Sequence, residues 1–230
     1  MKLELLDAYH IRVHLSSSII VFAPLAITVF FCFESMSSLI SSTIFIAVLL
    51  AFTNYLPILQ RQIYQKKLPF KNYAAQFLMP DDDTLNPISK ERYYKILAKI
   101  DPTFSIFESS ENSDMLYPYC ESAVRYLREK SREVPLLLEE NINYGFYRAL
   151  IANKAIGIIF CVTSGILAAA YSLLCFESFS QIPINNYIAF SADIVLLLFW
   201  FLGVNKNVLD SIAKQYAKAL LSTIDLLKSW

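Results

Sequence analysis

The stretch LSSSIIVFAPLAITVFFCF, residues 15–33, holds no charged side chain. At ~1.5 Å per residue it is long enough to cross a hydrocarbon core of ~30 Å as a helix. Three more stretches of similar length follow, at 39–59, 155–176 and 184–204. A backbone in lipid must satisfy its own hydrogen bonds, so all four are expected to be helices. Pro24 lies inside the first, where a kink is expected rather than a break, because neighbouring helices re-satisfy the freed carbonyl.

All twenty Lys and Arg lie outside these stretches. None falls in the turns 34–38 and 177–183, whose only charges are Glu34 and Glu177. Basic residues near membrane segments stay cytoplasmic. The partition therefore predicts a multi-pass protein with both termini and the segment 60–154 in the cytoplasm. The expected organisation is an amphipathic N-terminal helix (1–14), a transmembrane hairpin (15–59), a small helical cytoplasmic domain (60–154), a second hairpin (155–204) and a C-terminal cytoplasmic helix (205–230). The fold class is an all-α integral membrane protein.

Hydrophobic residues make up 56% of the chain, and the formal net charge is zero, so overall charge selects no partner. No cleavable signal peptide is expected, because Glu4 and Asp7 precede a run long enough to span. The motif CFES closes the first span at 32–35 and the third at 175–178, which suggests a duplicated hairpin.

In the middle segment, Pro80 and Asp81–Asp83 form a turn with helix-capping chemistry. Helices are expected over 90–100, 116–133 and 136–147, with a loop over 101–113 and a break at Pro135. In the tail, Leu209, Ala213, Tyr216, Leu220, Thr223 and Leu227 form a heptad stripe. It needs a partner, either the middle domain or the same helix of another copy.

The catalytic inventory is poor. Four glycines make no phosphate loop, and no Ser/His/Asp or Cys/His set assembles. His10 and His14 have metal-ligand spacing with Asp7 nearby, but read as interface residues. The four cysteines, Cys32, Cys120, Cys161 and Cys175, fit neither a disulfide framework nor a zinc site, and apolar packing is their expected role. No enzyme activity, cofactor or metal is expected.

Intramembrane polar groups are the sharper signal. Asp193 lies near the middle of the fourth span, and a carboxylate there costs ~2.5 kcal/mol or more. It is either a hydrogen-bonded link between helices, a pore-lining group or a proton-coupling group. Asn54 lies in the second span, and Glu34 and Glu177 mark the outer mouth. In a symmetric oligomer these acids would form rings that favour cations. In the middle segment Arg125, Arg128 and Arg132 share a helical face, with Tyr126 beside them. Guanidinium and aromatic groups together suit phosphates and stacked bases. The competing reading pairs them with Glu121, Glu129 and Glu133.

The runs ESAVRYLREKSRE (121–133) and LEENINYGFYR (138–148), with DTLNP (83–87) and KERY (90–93), resemble a family of small four-span bacterial membrane proteins linked to anti-phage defence operons. They are similar to the membrane effector of Hailong-type systems. The resemblance implies an oligomeric channel, a tetramer being favoured, in the bacterial inner membrane. It implies gating by a nucleotide or oligonucleotide made by a partner nucleotidyltransferase. The alternative is an ungated transporter or scaffold in which Asp193 couples protons or holds helices together.

Overall fold

A computed structural model describes residues 9–32, 71–109, 113–131 and 134–229. The second expected span (39–59), with Asn54, lies outside the described residues, as do Glu34, Arg132 and Glu133. The chain forms two compact units. One takes the residues up to Pro69 together with Gly145–Val208; the other takes Phe70–Tyr144 together with Leu209–Trp230. Among the described residues every regular element is helical.

In the first unit, a π-turn (His10–Leu15) runs without a break into helix α1, Ser16–Cys32. The expected separation of an amphipathic helix at 1–14 from the span is therefore not seen where the chain is described. Both Ser17 and Ser18 donate to the His14 carbonyl, at 3.1 and 2.7 Å. These bonds keep buried hydroxyls satisfied inside their own helix.

The second unit opens with α2, Tyr73–Leu78. Helix α3, Pro87–Ile100, starts three residues before the expected position, because Asn86 caps it. The Asn86 side chain accepts from the Ile88 amide at 2.9 Å, and Pro87 fills the first helical position, where no amide is needed. The acidic run supplies a turn instead, with Asp82 accepting from the Thr84 amide at 2.8 Å. The expected loop at 101–113 contains a 3₁₀ turn, Pro102–Ser105, capped by Asp101, then the short α4, Ile106–Ser109. Helix α5 spans Ser113–Lys130.

Pro135 opens α6, Pro135–Cys175, a single helix of 41 residues. The sequence reading divided it into a short helix and a span. That division followed the change from polar to apolar residues, but no Pro or cap signal interrupts the backbone after Pro135. At ~1.5 Å per residue α6 is about 60 Å long, roughly twice a hydrocarbon core, so its polar part must lie outside the core. Helix α7, Ile184–Leu198, continues into a π-turn, Phe199–Gly203. Helix α8 covers Lys206–Ser222 and ends in 3₁₀ geometry over Thr223–Ser229.

Among the described residues, three helices are long and apolar enough to cross a membrane: Arg12–Cys32, Pro135–Cys175 and Ile184–Gly203. Their packing is inverted relative to a water-soluble protein. Large apolar side chains point outward: Phe30 is 64% exposed, Ile166 62%, Leu174 86% and Leu202 73%. Thr28, Asn153, Ser164, Asn186 and Asp193 are buried. Such a surface would drive aggregation in water and is matched to lipid. Close approach is built in at Gly157, where a Cβ would come within 2.2 Å of the Trp200 ring.

The second unit has a conventional apolar core. Tyr73, Phe77, Leu78, Leu97, Phe104, Leu116 and Leu127 pack with Ala213, Ala217, Leu220, Leu221 and Ile224. The partner of the C-terminal stripe is therefore the middle segment of its own chain. Leu220 is fully buried in this core, whereas Gln215 lies on the open face of α8. Leu220→Ala is expected to cost roughly 2–5 kcal/mol of unfolding free energy, and Gln215→Ala no more than about 0.5 kcal/mol. Denaturant melts of the full chain in detergent, followed by circular dichroism, check the difference. Equal effects would mean that the stripe is not the core.

Candidate functional site

In the membrane-type unit, three helices converge on the Asp193 carboxyl. Thr28 of α1 reaches Oδ2 at 3.1 Å and Ser164 of α6 reaches it at 2.9 Å. The two hydroxyls are 2.6 Å apart. Ser164 Oγ is also 2.9 Å from the carbonyl of Pro24. All three side chains are buried. Among the described residues the other carboxyl oxygen, Oδ1, has no hydrogen-bond partner, and neither do Asn153 Nδ2 and Trp200 Nε1. Asp193 is thus a buried link between helices within one chain. Its fellow acid Glu177 lies exposed in the turn after α6.

Nothing in the sequence singled out Thr28 or Ser164 in advance. A signal was present in spacing: Asn153, Gly157, Cys161, Ser164, Ala168 and Ser172 recur every three or four residues, a small and polar face on an otherwise bulky helix. Toward one end, Asn186 Nδ2 donates to Ser172 Oγ at 2.9 Å. Toward the other, the Lys154 ammonium donates to the Val204 carbonyl at 2.7 Å, and Tyr147 donates to the carbonyl of Gly203. These bonds occupy carbonyls at the end of the π-turn, where regular helix bonding stops.

In the second unit the arginine helix does not present one uniform face. Arg125 is exposed. Tyr126 is half-buried, with its ring 5.8 Å from the Lys130 ammonium. Arg128 is half-buried and turns toward α8, where it hydrogen-bonds the Tyr216 hydroxyl. Burial pushes the Tyr216 phenol up, and the Arg128 guanidinium pulls it the other way. Tyr216 stacks on Tyr144 at 5.7 Å between ring centres.

Lys71, Asn72, Tyr73, Arg128, Tyr144 and Tyr216 line a cavity of ≈ 20 Å³, room for about one water. The Tyr73 ring carries two more cations, Lys71 at 6.0 Å and Lys214 at 5.6 Å. Asp210 accepts from the Tyr73 hydroxyl and pushes its pKa up, though by less than burial does. Three basic side chains and three tyrosines therefore meet beside one described carboxylate.

The motif around Lys90 has a structural use. Its ammonium donates to the carbonyls of Met79, at 2.6 Å, and Asp82, and so closes the loop before α3. Burial lowers the Lys90 pKa, while Asp82, Asp83 and Asp81 act to raise it. Nearby, burial pushes the Cys120 thiol up to about 12, consistent with a packing cysteine. Among the described residues no group of His, Cys, Asp and Glu has the geometry of a metal site.

Comparison with family models, curated proteins and solved structures finds no match for this chain. The functional reading therefore rests on the residues themselves and on the motif resemblance in 83–93 and 121–148.

Arg128→Ala is expected to lower the stability of its unit by roughly 1–3 kcal/mol, because a partly buried charged hydrogen bond is lost. Arg125→Ala is expected to change it by no more than about 0.5 kcal/mol. Chemical denaturation of both variants in detergent checks the order. A larger effect at Arg125 would mean that the arginine facing the cavity is misassigned.

Proposed function

We propose that this chain is one subunit of an oligomeric channel in the bacterial inner membrane, an anti-phage defence effector gated by a cytoplasmic nucleotide or oligonucleotide. Four spans per chain, both termini inside and a tetrameric assembly complete the reading. The observation that carries it is the Asp193 cluster. A carboxyl near the middle of an apolar span is costly, and such residues mark ion paths and proton relays. The one-sided Lys and Arg support the orientation. The cation and tyrosine cluster around Arg128 supports a phosphate-bearing ligand, because guanidinium and ammonium groups are the usual phosphate donors. The defence role is supported by the motif resemblance alone.

In this reading Arg125, Arg128, Arg132 and Tyr126 contact the ligand. Asp193, Asn54, Glu34 and Glu177 line the path or its outer mouth. Ligand binding shifts a closed–open equilibrium only through tighter binding to one state. A second reading has one specific observation in its favour. The contacts of Asp193 with Thr28 of α1 and Ser164 of α6 join three helices, as expected for a transporter or scaffold that uses the residue for coupling or to hold helices together.

Three measurements test the proposal. Expressed in cells with a potential-sensitive dye, the wild type is expected to depolarise the membrane on phage infection. Arg128→Ala and Asp193→Asn are each expected to lose that response at equal protein level. The mass in detergent is expected to be that of an oligomer. A monomer would overturn the channel, since four helices are too few to enclose an aqueous path. Exposed Cys175 is expected to react with an impermeant maleimide added outside the inner membrane. Labelling only after the membrane is opened would reverse the topology.

A further inference from the structure

We propose that the Asp193–Ser164–Thr28–Pro24 cluster is a proton-binding site: the Asp193 carboxyl carries a proton on Oδ2 and donates it to Ser164 Oγ. With Asp193 ionised, the cluster holds too few hydrogens for its contacts. Four oxygens make four close contacts. They are Thr28 to Ser164 at 2.6 Å, Ser164 to Asp193 at 2.9 Å, Ser164 to the Pro24 carbonyl at 2.9 Å and Thr28 to Asp193 at 3.1 Å. Each hydroxyl supplies one hydrogen, and a carboxylate and a backbone carbonyl supply none. With Asp193 ionised, two hydrogens serve four contacts. Two pairs of oxygens then face each other bare, and at least one of them is 2.9 Å or closer.

One added proton resolves the pattern. Asp193 donates to Ser164, Thr28 donates to Ser164, and Ser164 donates to the Pro24 carbonyl. Ser164 then uses its full capacity of one hydrogen given and two accepted. Every contact of 2.9 Å or less holds a hydrogen, and only the longest, at 3.1 Å, lacks one. The remaining carboxyl oxygen, without a partner among the described residues, becomes an uncharged carbonyl rather than half of a buried anion.

Among the described residues no charged side chain acts on Asp193; the titratable groups that feel its charge are the thiols of Cys32 on α1 and Cys161 on α6. A metal ion does not fit the same spacing. A 2.6 Å separation is an O–H···O distance, whereas oxygens that share an ion at ~2.3 Å or more stand further apart.

The bound proton has a structural consequence. It completes a donor chain running from α7 through α6 to the carbonyl of Pro24 in α1. Removing it leaves bare oxygen contacts at the junction of all three helices, so the site couples proton occupancy to how tightly α1 is held.

Infrared difference spectroscopy of the full chain in lipid tests this at about pH 7, where an ordinary aspartate is ionised. The wild-type minus Asp193→Asn spectrum is expected to contain the carbonyl stretch of a protonated, hydrogen-bonded carboxyl. Ser164→Ala is expected to shift the Asp193 band without abolishing it, and so supplies the test should Asp193→Asn fail to fold. Carboxylate bands alone in the Asp193 difference, or no band shift in a folded Ser164→Ala, would overturn the proposal.

Discussion

The cost of a polar group without a partner in hydrocarbon shapes the membrane-type unit, and Asp193 is where that cost is greatest. An unpaired carboxyl in lipid cannot be hydrated, so it must be met by hydroxyls from neighbouring helices. Thr28 and Ser164 meet it, and because they belong to α1 and α6 the requirement fixes three helices at one point. The other side-chain choices follow from that point. Cys32, Ala168 and Ala189 are small where the helices close around it, and Gly157 admits Trp200. Bulk is moved to the outside, where lipid accepts it.

The second unit obeys the ordinary rule of apolar groups inward, and its polar anchors work on the backbone. Lys90 holds the carbonyls of Met79 and Asp82, and Tyr94 donates to the carbonyl of Leu78. These bonds satisfy a loop whose neighbouring helix packs against the core. The C-terminal helix completes that core rather than extending away from it, since Leu220, Leu221 and Ile224 are fully buried among residues of the 73–127 region. Such a helix owes its stability to packing more than to propensity.

Helix content and membrane character were legible in the sequence, because long uncharged runs with every Lys and Arg outside them leave few alternatives. Boundaries were less legible where composition changed without a backbone signal. Helix α6 passes from polar to apolar residues with no cap or proline, so a change of environment resembled a change of element. Conversely Asn86 and Pro87 are a local start signal that outweighed the more conspicuous acidic run before them. The candidate site was legible only on one side. A lone carboxylate in a span announces itself, but Thr28 and Ser164 are ordinary membrane-helix residues whose role depends on a rotation that periodicity does not fix. Arg125 and Arg128 look equivalent at helical spacing. They differ because only Arg128 meets Tyr216, a residue 88 positions further along the chain.

The hydrogen bonds of Asp193 also constrain how a channel built from this chain would work. In the conformation described, the carboxyl is buried within the chain and Oδ2 is in contact with Thr28 and Ser164. A carboxyl so placed lines no water-filled path between subunits. In a conducting state that uses Asp193, its contacts with Thr28 and Ser164 must first exchange for water or an ion, with α1, α6 or α7 rotating to expose it. For a channel of that kind the described conformation would be the closed one. The barrier to opening includes the loss of a hydrogen-bonded junction in a low-dielectric interior, where each bond is worth more than at a surface. A ligand that opens such a channel must favour the open state by at least that difference, because affinity shared equally by both states moves no equilibrium.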